Sequence, residues 1–565
     1  MTSPDSLYPW ISSYPETPRW DTVFAPAVIT TALDKTVQST PDAPAFDFMG
    51  KKLSWQELCD QVNHFSAGLQ ALGVGKGVHV GLFLPNCPLY LIAYYAVLKT
   101  GGTVVNFNPL YAVSEIEHQI NDSQTQIMVT LDLEILCRSV IPMLQKTGLQ
   151  KMIVGRFDTF LPFPKNIFFN LFKRADKARI PRNQNILRFE HVIKNDGIVQ
   201  PVQIDVQNDI AVLQYTGGTT GTPKGAMLTH ANITVNAAQC YSHFPRSPTP
   251  EIMLAVLPFF HVFSMTVSLN MAVLAGMQIV TQPRFDLKQT LKLIARKKPH
   301  YMPAVPAIFN AINHDPDLAR YDLSSLRFCI SGGAPLPVEV KKAFEKKTGC
   351  VVMEGYGLTE SSPVATVNPP MGENVAGSIG LPLPQTIIEI IDPSDKHTPC
   401  KLGERGELCI RGPQVMKGYW NNPSATADVL RVTPEGDRRL HTGDVAIMDA
   451  RGYIYIVDRI KDMIITNGYN VYPRNVEDAI YQHPAVEECI VAGLPDEQRG
   501  EIVKAWIKLR KDIVLTEKEL KDFLAEKLSK IEMPRQIVFR TTPLPKTMIG
   551  KLSRKDMIAL DQEGL

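Results

Sequence analysis

The sequence predicts an α/β protein: a large amino-terminal domain of layered α/β subdomains with a small antiparallel, barrel-like subdomain, then a small α+β carboxyl-terminal domain. Three observations point there. Strand and helix signals alternate through the first third of the chain and resume after about residue 208, the rhythm of layered α/β folds with mainly parallel strands. Residues 377–460 change to short alternating runs such as GELCIRG and GYIYIVDR, which read as antiparallel strands. The last hundred residues return to mixed helix and strand.

The elements follow in order. Ser54-x-x-Glu57 is a capping box, so a helix runs from there to about Leu72. An apolar strand spans Val78–Leu84, and a helix opened by Pro88 ends before Gly101-Gly102. A strand at Val104–Asn106, a helix from about Ser114 and a strand at Ile127–Thr130 come next. Val212–Tyr215, Met253–Leu257, Gln278–Thr281 and Phe328–Ser331 read as short buried strands. In the last hundred residues we expect helices over Asn475–Tyr481 and from Glu517, with strands around Glu488–Ala492 and Lys504–Leu509.

Composition narrows the class. The chain has 565 residues, 44% hydrophobic and 21% charged, which excludes a disordered chain, a coiled coil and a collagen. A formal charge of +2 gives no electrostatic footprint for nucleic acid. The nine cysteines are scattered and contain no C-x-x-C, against a disulfide scaffold or zinc ribbon and in favour of a reduced, cytoplasmic compartment. The start, MTSPDSLYPW, shows no signal-peptide pattern.

Two segments raise the question of membranes. Ile252–Pro283 carries no charged residue, but Pro258, His261, Ser264, Ser268, Asn270 and Gln278 interrupt it, so it reads as a buried strand, turn and helix. Residues 160–182, FLPFPKNIFFNLFKRADKARIPR, set five phenylalanines beside six basic residues. That pattern suits peripheral contact with the inner face of an anionic membrane. It equally suits a surface helix whose aromatics pack on the domain.

The strongest chemical signal is the run from Tyr215 to Gly225, YTGGTTGTPKG. An apolar strand enters a Gly/Thr-rich loop that ends in a lysine. Small residues let backbone N–H groups approach phosphate oxygens, and hydroxyls and Lys224 add donors and charge. It is not a Walker A loop, which requires G-K-[ST].

This loop resembles the phosphate loop of the adenylate-forming superfamily, which includes acyl-CoA ligases, luciferases and peptide-synthetase adenylation domains. Seven further segments stand in that family's order: LPFFHVF (257–263), SGGAPL (331–336), EGYGLTE (354–360), GELCIRGPQVMKGYW (406–420), LHTGD (440–444), VDRIKDMIITNGYNVYP (457–473) and PLPKTMIGK (543–551). The resemblance spans nearly the whole chain and is nearest to bacterial long-chain fatty-acid–CoA ligases.

It implies two steps with ATP and CoA as co-substrates and Mg²⁺ as cofactor. A fatty acid becomes acyl-AMP with loss of pyrophosphate, and the CoA thiol then displaces AMP. Both steps move negative charge onto oxygens, where positioned cations and N–H groups stabilise it. By resemblance, Thr216, Gly217, Gly218, Thr219, Thr220, Gly221, Thr222 and Lys224 hold the β- and γ-phosphates. Glu360 and Thr216 bind the metal, and Thr359 meets the α-phosphate. Gly332, Gly333, Ala334, Tyr356 and Gly357 frame the adenine, while Asp444 and Arg459 serve the ribose. Lys551 bridges carboxylate and α-phosphate oxygens, with Lys546 its nearest competitor. The implied division is 1–460 and 461–565, with a hinge at Lys461 about which the mobile small domain turns to bring the loop at Gly468 toward CoA.

The acyl site is less defined. His261 is either a satisfied buried histidine or a residue bordering that site, and Gly276 leaves room for a long chain. Arg438 stands where fatty-acid ligases usually have a tryptophan. The alternatives are a fatty-acyl-AMP ligase loading a carrier protein, a medium-chain or aryl-CoA ligase, and a non-catalytic membrane-associated nucleotide-binding protein. The oligomeric state, a homodimer or otherwise, is not written in the sequence.

Overall fold

The structure, a computed structural model, describes residues 8–216, 223–245, 247, 249–433, 435–467, 469–496, 498–511, 513–546 and 552–563. Four sheets organise it. The first runs, in spatial order, Ile186–Arg188, Lys151–Gly155, Ile127–Leu131, His79–Leu82, Thr103–Asn106, Ile210–Thr216 and Lys224–Thr229. All neighbours are parallel except the last pair, which is a hairpin. The second has nine strands. Six parallel ones, Pro44–Phe48, Gln278–Thr281, Ile252–Ala255, Tyr301–Ala304, Phe328–Ser331 and Val351–Gly357, are flanked by antiparallel partners at both edges.

Local signals explain the helices. Ser54 accepts the Glu57 N–H at 3.1 Å and Glu57 returns a carboxylate to the Ser54 N–H at 2.8 Å, so the capping box starts the helix Trp55–Ala71 as expected. The helix Pro88–Lys99 has ten apolar side chains among its twelve residues and lies buried between the first two sheets' core residues. The uncharged segment after Glu251 is core: a strand, a π-helical turn at Ser264–Asn270, a helical turn at Met271–Leu274 and a second strand. Among the described residues no helix is long and apolar enough to cross a membrane.

The antiparallel subdomain is a five-stranded sheet of Ile387–Ile391, Gly406–Arg411, Leu430–Val432, Arg438–Met448 and Ile454–Arg459. Its core also takes in Trp10, which reaches it from the amino-terminal segment, with Tyr8 and Trp20 packed alongside. The carboxyl-terminal part has its own sheet, in which Val486–Asp496 pairs with Gly500–Leu509, and its own hydrophobic core. Of the nine cysteines eight are buried, and Cys400 is half-buried.

Candidate functional site

Several of the expected site residues, Thr216, Gly332, Gly333, Ala334, Tyr356 and Gly357, stand at or just beyond the carboxyl ends of parallel strands, where open α/β sheets bind ligands. The strand Ile210–Thr216 leads into the Gly/Thr loop and Lys224 begins the return strand, with Thr216 directly opposite Lys224. Gly217, Gly218, Thr219, Thr220, Gly221 and Thr222 lie outside the described residues, as do Gly468 and Lys551. Space at Gly225 is tight, because a Cβ there would stand 3.2 Å from the Tyr215 ring.

Segment 417–420 laces onto this hairpin. The Met227 N–H donates to the Gly418 carbonyl and the Lys417 N–H to the Met227 carbonyl, both at 2.9 Å, and the Trp420 N–H donates to the Gly225 carbonyl at 2.8 Å. Tyr419 is thereby fixed beneath Lys224, whose ammonium lies 5.1 Å from its ring centroid. The Tyr419 hydroxyl donates to Glu360 Oε1 at 2.6 Å. Burial, with Glu360 alongside, pushes the Tyr419 phenol well up, so it remains a donor. Lysine, aromatic ring and carboxylate thus form one chain of contacts. Sequence reasoning quoted the GYW triplet without giving Tyr419 a part.

Glu360 belongs to a short turn, Thr359–Ser361, that contacts both strands of the hairpin. Gly357 before it has no alternative, since a Cβ would fall 2.0 Å from the Pro363 carbonyl oxygen. The Glu360 carboxylate and the Thr216 hydroxyl are hard oxygen donors, the set that Mg²⁺ selects, so the residues present fit that ion.

A second cluster sits across the strand ends. Asp444 and Arg459 are cross-strand neighbours. Arg459 Nε donates to Asp444 Oδ1 at 3.1 Å, and the Tyr356 hydroxyl donates to Asp444 Oδ2 at 2.5 Å. Burial and the adjoining Asp444 hold the Tyr356 phenol far above its usual range. Burial works against the Arg459 charge, but Asp444 outweighs it and the guanidinium is held above its ordinary value. Each carboxylate oxygen keeps a further lone pair to offer a hydroxyl. Behind Asp444, Glu407 accepts the Gly443 N–H at 3.0 Å and pairs with His441 Nδ1 at 2.8 Å, bracing the turn.

Gly332, Gly333 and Ala334 follow the strand Phe328–Ser331, beside the strand that ends in Tyr356 and Gly357. Gly333 has φ +78°, and a Cβ on Gly332 would press on the Phe263 ring at 3.2 Å. His261 accepts the Phe263 N–H at Nδ1, 3.3 Å away. Burial pulls its pKa down to about 4, so the ring is neutral.

Gly276 is not part of this group. It lies at the amino end of the strand Gln278–Thr281, opposite the ends that build the site, and takes φ +66° in a turn beside Thr36. Its smallness serves the backbone, not an acyl chain.

Lys461 occupies a 3₁₀ turn, Ile460–Asp462, and burial with the neighbouring Arg459 lowers its pKa. Beside it is a residue the sequence reading passed over. Arg554 donates to Asp458 at 3.3 Å, to Asp462 at 3.0 Å and through two nitrogens to Glu477 at 2.8 and 3.3 Å. It ties the last helix, Arg554–Gln562, to the turn holding Lys461. A cleft of about 470 Å³ between Lys555 on that helix, Pro223 and the helix Val113–Ser123 shows the carboxyl-terminal segment reaching the hairpin that Lys224 enters.

With this architecture and site, the chain belongs to the AMP-binding enzyme family: the model of that family matches residues 33–420 and the model of its C-terminal domain residues 475–551. The chain is 41% identical to a long-chain-fatty-acid–CoA ligase of Bacillus subtilis, covering 99% of both chains. It is 37% identical to a long-chain-fatty-acid–CoA ligase of Escherichia coli O157:H7, covering 93% of each. Among solved structures, ATP-bound MatB from Rhodopseudomonas palustris superposes with a TM-score of 0.84 at 26% identity, over 95% of this chain and 99% of that one.

Proposed function

We propose that this enzyme is an AMP-forming long-chain fatty-acid–CoA ligase, acting at the cytoplasmic face of the membrane from which long-chain acids arrive. The observation that carries the reading is the end-to-end 41% identity to such a ligase. Two contact chains support it, Lys224 with Tyr419 and Glu360, and Tyr356 with Asp444 and Arg459.

The residues divide the work. Lys224, with Thr216 and the loop through Gly217, Gly218, Thr219, Thr220, Gly221 and Thr222, neutralises the β- and γ-phosphates as pyrophosphate departs. Tyr419 holds Lys224 and Glu360 in register. Glu360 and Thr216 would hold Mg²⁺, which when bound screens phosphate charge. Thr359 donates to the α-phosphate. Asp444 accepts the ribose hydroxyls, and Arg459, donating to its Oδ1, keeps that carboxylate aimed. Because the Tyr356 hydroxyl is committed to Asp444, its ring is left for the adenine, with Gly332, Gly333, Ala334 and Gly357 allowing close approach. Lys551 bridges the acid and the α-phosphate. His261, neutral, borders the acyl chain; the acid arrives ionised, so no general base is required. The small domain, 461–565, then turns about Lys461 and presents Gly468 to CoA, a lid-type cycle.

The test is AMP and acyl-CoA release with ATP, Mg²⁺, CoA and acids from acetate through oleate to benzoate. CoA-dependent turnover on the long acids is expected. Acyl-AMP without thioester would favour a carrier-loading enzyme, and preference for benzoate an aryl ligase.

A further inference from the structure

The helix Lys165–Phe172 is inverted relative to an ordinary surface helix. None of its eight residues is buried. Phe169 turns inward onto the Phe157 ring, 5.1 Å between centroids, and Asn170 donates inward to Asp158. The apolar residues Ile167, Phe168, Leu171 and Phe172 face out, and Phe163 just before the helix joins them. Phe163 is 78% and Phe172 76% exposed, and the Phe168 and Phe172 rings stack at 5.9 Å. Five large apolar side chains uncovered within ten residues form a patch that needs a partner.

The surroundings define that partner. Lys173 pairs with Asp176, and Lys177 reaches inward to Asp132 and Asp158, so neither is available. Arg174, Arg179 and Arg182 are exposed, and among the described residues none has an ion pair. At the other end, Lys165 donates to the Met49 carbonyl at 2.8 Å and opens a groove of about 380 Å³. Lys292 and Arg296, both exposed, also line it, with Met49, Leu293 and Tyr321, and no carboxylate does. Outward aromatic bodies on a helix that carries Lys165 and is followed in sequence by exposed arginines without ion pairs among the described residues match a lipid surface with acyl chains inside and phosphates at the rim.

We propose that this helix and its cationic groove are a docking surface for an anionic phospholipid bilayer. The outward Phe163, Phe168, Leu171 and Phe172 enter the headgroup–acyl boundary. Lys165, Lys292 and Arg296, with Arg174, Arg179 and Arg182, meet lipid phosphates. The inference deepens the ligase reading and rests on it, since long-chain acids partition into bilayers. It also specifies which aromatics matter: Phe169 packs inward and is excluded.

Flotation of the full-length protein tests it, using phosphatidylcholine vesicles with and without about one-third phosphatidylglycerol. The wild type floats with the anionic vesicles, and added salt weakens binding. A variant with Phe163→Ser, Phe168→Ser and Phe172→Ser lowers the bound fraction about tenfold or more, as loss of buried aromatic area requires. Arg174→Glu with Arg179→Glu does the same without touching apolar packing, and decides the matter if the first variant misfolds by near-ultraviolet circular dichroism. Equal binding to neutral vesicles, no binding by the wild type, or wild-type binding by either folded variant overturns the proposal. Self-association that the variants abolish, without flotation, would assign the patch to a second copy and overturn it too. Acyl-CoA formation from detergent-dispersed oleate is read on the same samples. Its absence with flotation intact removes the ligase reading alone, while its presence with flotation lost removes the lipid surface alone.

Discussion

Asp444 accepts from Tyr356 and Arg459 at once, so its charge organises groups from two different strands. Asp444→Asn keeps the shape and removes the charge. We expect the KM for ATP to rise at least tenfold, in line with the ~1.5–3 kcal/mol of a hydrogen bond to a charged group, with the melting temperature nearly unchanged. Steady-state kinetics beside a thermal melt decides this; an unaltered KM would remove Asp444 from nucleotide binding. Glu354 offers a pH-dependent case. Burial raises its pKa to about 7, against the Leu336 N–H that it accepts. A carboxyl raised on folding stabilises fully below the ordinary glutamate range, and that contribution is lost as pH climbs through about 7. Glu354→Gln should therefore flatten stability between pH 4.5 and 7 and leave the protein more stable at pH 8, by up to about 3 kcal/mol. Denaturant midpoints at pH 5 and 8 measure it, and an equal shift at both would refute the assignment. At this scale the sequence shows motif residues such as Lys224, Glu360 and Asp444. Tyr419 is invisible because its meaning depends on Glu360, 59 residues away, and on a hairpin it joins only after folding.

Elements were legible where their cause is local. The Ser54 capping box, the proline that opens Pro88–Lys99 and the apolar strands of the parallel sheets announce themselves through neighbours in sequence. Ser54→Ala should cost about 1 kcal/mol, as loss of an N-cap does, and a denaturation curve will show it. The strand Pro44–Phe48 was missed because its parallel partner lies at Gln278–Thr281, more than two hundred residues on. Gly276 was misread because smallness alone does not say which end of a strand a glycine occupies. Arg554 was missed because all three of its acidic partners come from outside its helix. Its contacts hold the last helix against the turn at Lys461. Arg554→Met should leave acyl-AMP binding intact while changing the ratio of adenylation to thioester formation severalfold, as loss of a partly buried charge cluster implies. Separate assays of the half-reactions check this, and an unchanged ratio would restrict Arg554 to stability.

At the scale of the molecule, the carboxyl-terminal residues bury a core of their own around Ile480, Val491 and Leu520, distinct from the continuous core of the two parallel sheets. Units with separate cores open separately. The alternation of strand and helix predicted both parts, but not the way Trp10 crosses to seal the antiparallel sheet, because that contact joins the chain's beginning to residues beyond 360. Gly452 shows how tight the seal is, since a Cβ there would fall 2.3 Å from Trp10.

The burial of the cysteines turns thiol chemistry into a clock for these openings. A disulfide-exchange dye should find Cys400 first in the native protein, slowly, because it is half-buried and its pKa is raised. Cys489 is the one cysteine between residues 461 and 565, and the other seven buried thiols all lie before that turn. If the small unit opens on its own, Cys489 is labelled while those seven stay protected. If all eight react at one rate, the enzyme unfolds as a single body.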